Sequence, residues 1–348
     1  MPFGAIHKKE VMYIMGFWDA IIQGIVQGLT EFLPVSSSGH VSLVQHFTGT
    51  NIEGAQSFTL FLHFGTLIAV FIVYWNKIWS LVKEFFSMVK DFFTGKFVWK
   101  LEKMNENRRM VIMIVIASAC ILVAFLPIFG IFGIYDSNGE LVKSLKDMSG
   151  LTSEDIDIIV EGVCLLLTGT LLLYSTKLAK DRKKNGNEGK GEVTLKSAVA
   201  MGVGQAFATM PGLSRSGTTT TLGMITGTEK NAALEFSFIM GIPAILAANV
   251  LEVFEMDGAE VAQLNIGVVI LGVVVAAVVG VLSIAGLKWI VSNDKLNYFG
   301  WYCLVVGTIV IIVGIIEMIT NKQFTVFGAV ASATGSASGS ASGSALMA

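Results

Sequence analysis

Long uncharged apolar stretches alternate with short polar segments along this chain. Residues 57–75, 110–132, 162–176, 236–251, 266–287 and 298–316 hold no Asp, Glu, Lys or Arg. Each supplies most of the ~20 residues that a spanning helix needs. The pattern therefore predicts six spanning helices. Trp75, Trp79, Trp289 and Trp301 sit at the ends of such stretches, where an interfacial aromatic belt lies. Residues 80–100 differ, mixing Phe and Lys at near-helical spacing. This predicts an amphipathic helix along the inner membrane surface. Two further segments, 17–56 and 197–230, are too polar and too broken to cross the bilayer twice each.

Composition agrees with a membrane protein. Charged residues are 14% of the 348, against about 25% in soluble domains, and the mean hydropathy is +0.69. A solvated globular surface and general disorder are both excluded. The net charge of −2 gives no overall basic field for nucleic acid. Cys120, Cys164 and Cys303 lie inside apolar runs without paired spacing, so no disulfide framework is expected. The apolar N-terminal region runs into a polar motif without a small-residue cleavage site, so no cleavable signal peptide is expected. Residues 331–348 are mostly Ser, Gly and Ala and read as an appended flexible linker.

The charges set an orientation. Lys77, Lys83, Lys90, Lys96, Lys100, Lys103, Arg108 and Arg109 crowd residues 77–109, and Lys177, Lys180, Arg182, Lys183, Lys184, Lys190 and Lys196 crowd 177–196. Residues 133–156 hold only Lys143 and Lys146, and 255–265 hold neither Lys nor Arg. The positive-inside rule puts the two basic segments in the cytoplasm. Both termini then lie outside.

The chain also repeats itself. Laying Ala20 on Ala198 aligns residues 20–69 with 198–247 without a gap. Gly24/Gly202, Gln27/Gln205, Ser36/Ser214, Ser38/Ser216, Gly39/Gly217, Thr48/Thr226, Gly49/Gly227, Thr50/Thr228 and Phe58/Phe236 coincide. These matches fall on Ser, Gly, Thr and Gln rather than on common apolar residues, which favours duplication over chance. By the orientation above the two copies run oppositely, about 17–150 against 195–320. The expected fold is an all-α integral membrane protein: six transmembrane helices plus two re-entrant helical hairpins in an inverted-topology repeat, one transmembrane domain over 1–330. Irregular backbone at membrane depth is tolerated only when buried in protein or lining a wet cavity. The hairpin tips are thus expected to meet near the midplane.

Both tips carry chemistry. The first reads QGIVQGLTEFLPVSSSGH, residues 23–40. Gln27 and Glu31 share a helical face, Pro34 ends the helix, and Ser36, Ser37 and Ser38 precede the next. The second reads QAFATMPGLSRSGTTTT, residues 205–221. There Ser214, Arg215 and Ser216 lead into Gly217 and a run of threonines. Hydroxyls and helix N-termini attract anions, and a guanidinium fork binds phosphate bidentately. Ionisable groups at membrane depth are functional by default. Glu31, His40 and Arg215 therefore indicate phosphate chemistry on a substrate that enters through lipid.

QGLTE at 27–31, PVSSSGH at 34–40 and PGLSRSGTT at 211–219 resemble the signatures of the undecaprenyl-diphosphatase family of the bacitracin-resistance type. The resemblance extends to about residue 320 and includes EFSFIMGIP at 235–243. Gln27 stands where many members have Glu, within an (E/Q)xxxE motif, which makes Glu31 the main acidic candidate. The resemblance implies hydrolysis of undecaprenyl diphosphate to the monophosphate, recycling the cell-wall lipid carrier in the bacterial plasma membrane. It implies an active site open to the outer face, and Ser37 as nucleophile through a phosphoserine. His40 would activate Ser37 or protonate the leaving group, or be the nucleophile itself. Glu31 would orient His40, position water or contact a divalent cation, Mg2+ or Ca2+. Arg215 would clamp the diphosphate, or pair with Glu31 in the empty site. Gln27, Ser36, Ser38, Ser214, Ser216 and Thr218 are the expected substrate contacts, although helix capping explains the serines nearly as well. Gln205 reads equally as helix-packing glue. His63 lies mid-helix with no identified partner, His46 lies on the first hairpin beyond the motif, and neither is given a catalytic role. The implied partners are the polyprenyl diphosphate and membrane lipids, and the assembly could be a homodimer. A secondary transporter or lipid-carrier flippase is the alternative, since inverted hairpins suit transport as well.

Overall fold

The computed structural model describes residues 16–48, 55–127, 144–145, 157–187, 189–255 and 265–320. Most of the expected outer loops, 133–156 and 255–265, and the whole tail from 331 lie outside the described residues. Among those described, the fold is all helical, and the only β pairing is an isolated bridge between Lys190 and Thr228.

In chain order the helices are α1 (Phe17–Thr30), α2 (Ser37–Thr48), α3 (Ala55–Val73), α4 (Trp75–Phe93), α5 (Glu106–Ala119), α6 (Asp157–Lys184), α7 (Leu195–Phe207), α8 (Arg215–Ile225), α9 (Lys230–Glu255), α10 (Ile266–Ser292) and α11 (Asn297–Thr320). A tighter 3-10 turn, Cys120–Phe125, continues α5. Five spans are long and apolar enough to cross a membrane: Glu106–Phe125, Ile158–Lys184, Lys230–Leu251, Ile266–Ser292 and Asn297–Thr320. Phe58–Val73 passes the same test only together with Trp75–Phe93, from which it is bent by 89°. The multi-pass reading holds, with a sixth span where α3 and α4 are counted as one broken crossing.

The bend follows from composition. α3 is apolar on nearly all sides. From Trp75 onward, exposed Trp75, Trp79, Phe86, Val89 and Phe93 recur on one stripe of α4, with Lys83 and Lys90 beside it. Its opposite side carries Glu84 and Asp91, which Arg108 of α5 grips at 2.6 and 2.9 Å.

Small residues bring the long helices together. A methyl added to Gly28 would lie 2.7 Å from the Ala276 carbonyl oxygen, and one on Gly169 2.7 Å from that of Gly300. Such seams replace the hydrophobic driving force that lipid removes. They pack α1 and α3 on α10, and α6 on α11.

The four remaining helices form two broken pairs, α1 with α2 and α7 with α8. At about 1.5 Å per residue none is longer than about 21 Å, against ~30 Å of hydrocarbon core. Their turns touch one another. The Ser216 hydroxyl donates to the Leu33 carbonyl at 3.3 Å, and a methyl on Gly39 would stand 3.2 Å from the Gly212 Cα. Arg182, on the last turn of α6, donates to the carbonyls of Met224 and Ile225 at 2.6 and 2.7 Å. It thereby caps the C-terminal end of α8.

Candidate active site

Glu31 stands where α1 ends, and it is 7% exposed. Pro34 prevents α1 from continuing. The chain reverses over five residues, and Ser36 takes φ 73° before α2 begins. A left-handed serine is strained backbone, and such strain concentrates at functional sites. Here it turns the Ser37 hydroxyl back toward Glu31. Ser37 Oγ donates to Glu31 Oε2 at 2.7 Å, and Gln27 Nε2 donates to the same oxygen at 2.9 Å. Arg215, from the first turn of α8, donates through Nη2 to Glu31 Oε1 at 2.6 Å. Three expected residues, Glu31, Ser37 and Arg215, thus meet from the two broken helix pairs.

Gly241 makes room for the guanidinium. A methyl there would fall 3.0 Å from Arg215 Cζ and closer still to Nη1. Nη1 is buried without a hydrogen-bond partner, as are Gln27 Oε1 and Thr218 Oγ1. A buried donor of this kind is costly to leave unpaired.

The serines divide by task. Ser36 is buried, and its Oγ accepts from the Gly39 N–H at 3.3 Å. Ser214 does the same for the Gly217 N–H at 3.1 Å. Ser216 is committed to Leu33 across the two turns. Ser38 is exposed and Ser37 half-buried. Gln205 is 2% exposed with neither amide atom paired, so it supplies no interhelical hydrogen bond.

His40 does not face Ser37. Its Nδ1 donates to the Ser36 carbonyl at 2.8 Å, and its Nε2 meets the Tyr302 hydroxyl of α11 at 2.8 Å. The two rings stack with centroids 5.7 Å apart. Spacing by three along a helix puts both residues on one side. The strained first turn, however, sends Ser37 toward α1 and the imidazole toward α11.

Two histidines left without a role have partners. His46 pairs with Glu317 of α11 at 3.0 Å, away from Glu31. His63, on α3, points Nε2 at Glu31 Oε2 from 3.7 Å and donates through Nδ1 to the Thr59 carbonyl at 2.9 Å. Tyr302 and His63 are the neighbours that motif reading missed. The available signal was His63 itself, an ionisable side chain inside a charge-free span.

A cation site needs several oxygen or nitrogen donors. No group of three His, Cys, Asp or Glu among the described residues converges to hold one. Both Glu31 oxygens already accept from Arg215, Ser37 and Gln27. To such an ion the described site offers one carboxylate, Glu31, once Arg215 has released it.

The family model for the bacitracin resistance protein BacA matches residues 20–309. The chain belongs to the BacA family. Among its relatives, the undecaprenyl-diphosphatase of Alkaliphilus metalliredigens is 36% identical over 298 residues, covering 86% of this chain and 98% of that protein. The protein of the same name from Methanobrevibacter smithii is 35% identical, covering 85% and 97%. That from Bacteroides fragilis is 34% identical, covering 86% and 98%. The matched region spans the site residues described above, from Gln27 to Tyr302.

Proposed function

We propose that this BacA-family chain hydrolyses undecaprenyl diphosphate to the monophosphate and inorganic phosphate, and so recycles the cell-wall lipid carrier. The observation that carries the reading is the Ser37–Glu31–Arg215 constellation, assembled between broken helices of a multi-pass membrane protein. A pure transporter would need neither a hydroxyl hydrogen-bonded to a buried carboxylate nor that carboxylate beside a guanidinium.

The mechanism follows from the contacts. Arg215 exchanges Glu31 for the diphosphate, turning the Nη2 donor that now holds Glu31 Oε1 toward a phosphate oxygen. Glu31 Oε2 takes the Ser37 proton over the existing 2.7 Å hydrogen bond. Ser37 Oγ then bonds to the terminal phosphorus, and the anhydride electrons leave with the lipid phosphate. Fixed donors at the developing charge are the main catalytic resource in phosphoryl transfer. His40 is a poor nucleophile in this arrangement, since both of its ring nitrogens are engaged. A divalent cation, Mg2+ or Ca2+, belongs on this reading to the diphosphate rather than to the protein's own donors.

We also read the two broken pairs as re-entrant hairpins of an inverted repeat. The repeat register supports this. It carries the start of α1, Phe17, onto the start of α7, Leu195, and the start of α2, Ser37, onto the start of α8, Arg215. With the basic segments inside, the first hairpin opens outward, the site faces the outer surface, and both termini lie outside.

The test is phosphate release by the purified protein from a long-chain polyprenyl diphosphate. Ser37→Ala and Arg215→Ala each abolish it without loss of expression, whereas His40→Ala, which takes no proton in this mechanism, leaves measurable turnover. Full turnover by Arg215→Ala would overturn the site. Cysteines introduced singly into 77–109 and 255–265 should label from opposite sides, and labelling from one side alone would refute the topology.

A further inference from the structure

We propose that His63 is a catalytic residue of the second half of the reaction, its Nε2 taking the proton of the water that cleaves the phosphoserine. The inference rests on Ser37 as nucleophile and goes beyond it, since some group must then activate water.

The geometry selects His63. Its Nδ1 proton is committed to the Thr59 carbonyl at 2.9 Å, so a neutral imidazole carries its lone pair on Nε2. Nε2 faces the oxygen that also accepts from Ser37, yet at 3.7 Å it is too far for a hydrogen bond to it. The His63 side chain is 29% exposed, so it is not sealed within the protein core. The other histidine of the motif region, His40, has no free nitrogen. The repeat register places His63 on Gly241, the residue that touches Arg215. Equivalent positions of α3 and α9 thus flank the Glu31–Arg215 pair from its two sides, one lending a base and the other lending space.

The step balances. After the first half Glu31 holds the Ser37 proton. The water oxygen then bonds to phosphorus as the phosphorus–Oγ bond breaks. One water proton passes to His63 Nε2, and Glu31 returns its proton to Oγ. Positive charge appears on His63 as negative charge returns to Glu31 3.7 Å away, so each stabilises the other. His63 finally releases its proton to solvent.

The experiment uses the full chain in detergent and a long-chain polyprenyl diphosphate radiolabelled on its terminal phosphate. Rapid quenching follows acid-stable label on the protein and free phosphate separately. His63→Ala and His63→Gln should each label Ser37 in a burst approaching one per chain. Release should then slow by about 10²–10⁴-fold, as for loss of a general base. A variant that phosphorylates itself is folded, so misfolding cannot mimic this result. Wild-type release by either variant overturns the proposal, and so does slow release without label on the protein. Ser37→Ala separates the two ideas. If it turns over normally, the phosphoserine reading fails. If it is inactive while His63→Ala releases phosphate at the wild-type rate, only the role of His63 fails.

Discussion

Gly241→Ala is a one-methyl change that separates the position of Arg215 from its presence. The added methyl would lie 3.0 Å from Cζ and nearer to Nη1, whereas ordinary contact begins at 3.4 Å. The guanidinium must therefore withdraw by about an ångström, and a shift of that size in an active site costs on the order of 10²-fold in rate. The cost to stability is smaller. The atoms struck are the far end of a flexible side chain that is 22% exposed. The Glu31 pair that it strains is thus partly solvated on the Arg side, below the ~3–5 kcal/mol of a fully buried pair. Alanine also raises helix propensity by roughly 1 kcal/mol over glycine. The net expectation is a fall of about 100-fold in kcat/KM with a melting temperature within a few degrees of wild type. Phosphate release and a thermal scan on the same detergent preparation measure both. Full activity would show that the guanidinium does not need its place against α9. A collapse in melting temperature would show that the methyl is absorbed by moving α9, and the space argument would fail with it.

Other contacts give further expectations. Tyr302→Phe keeps the ring stacked on His40 but removes the hydroxyl at Nε2. A lost hydrogen bond of about 1 kcal/mol predicts a small fall in melting temperature with turnover near wild type, and a large loss of rate at unchanged stability would refute a purely structural pairing. Gly28→Ala drives a methyl into the Ala276 carbonyl, which is backbone and cannot yield, whereas Gly286→Ala meets nothing within 4 Å. The first should destabilise by about 1–3 kcal/mol or more and the second should be neutral or stabilising, read as paired melting temperatures. Asp294 lies between α10 and α11, where the hydrogen bond from Lys230 holds its carboxyl below the usual carboxylate range. A depressed folded-state value means that its stabilisation is present above the ordinary range, about pH 4, and is lost as pH falls through the folded-state value. The stability gap between wild type and Asp294→Asn should therefore narrow on acidification, and a gap independent of pH would refute the pairing.

Much of this architecture was legible before any coordinates. Charge-free runs located the spans, and one ungapped register anticipated that α1 and α7, and α2 and α8, begin at equivalent residues. The motifs led to Glu31, Ser37 and Arg215, because each stands beside a helix break dictated by proline or serine. Partners across the fold were not legible in this way. Tyr302 meets a residue 262 positions earlier, and His63 reaches Glu31 from the middle of a span that has no motif. Spacing arguments work within one helix. For that reason they paired His40 with Ser37, two residues that the strained first turn of α2 sends in opposite directions.

That turn explains why the Ser37 hydroxyl is free for the proposed attack. A serine within a regular helix returns its hydroxyl to a carbonyl one turn earlier, as Thr168, Thr170 and Thr176 do in α6. Ser37 escapes this because it opens α2, with Ser36 supplying the positive φ and the cap for the Gly39 N–H. Ser214 caps α8 through the same side-chain contact, though from extended backbone at φ −67°, and the residue after it is Arg215 instead of a serine. Two similar caps therefore present the Ser37 hydroxyl from one broken pair and a guanidinium from the other, both directed at the Glu31 carboxylate. The difference between the halves lies in the residue that follows each cap and in the residue that flanks it, His63 or Gly241. Exchanging function between the halves would require changing both positions together, since a side chain at 241 would expel the Arg215 guanidinium and a glycine at 63 would leave no base beside Glu31.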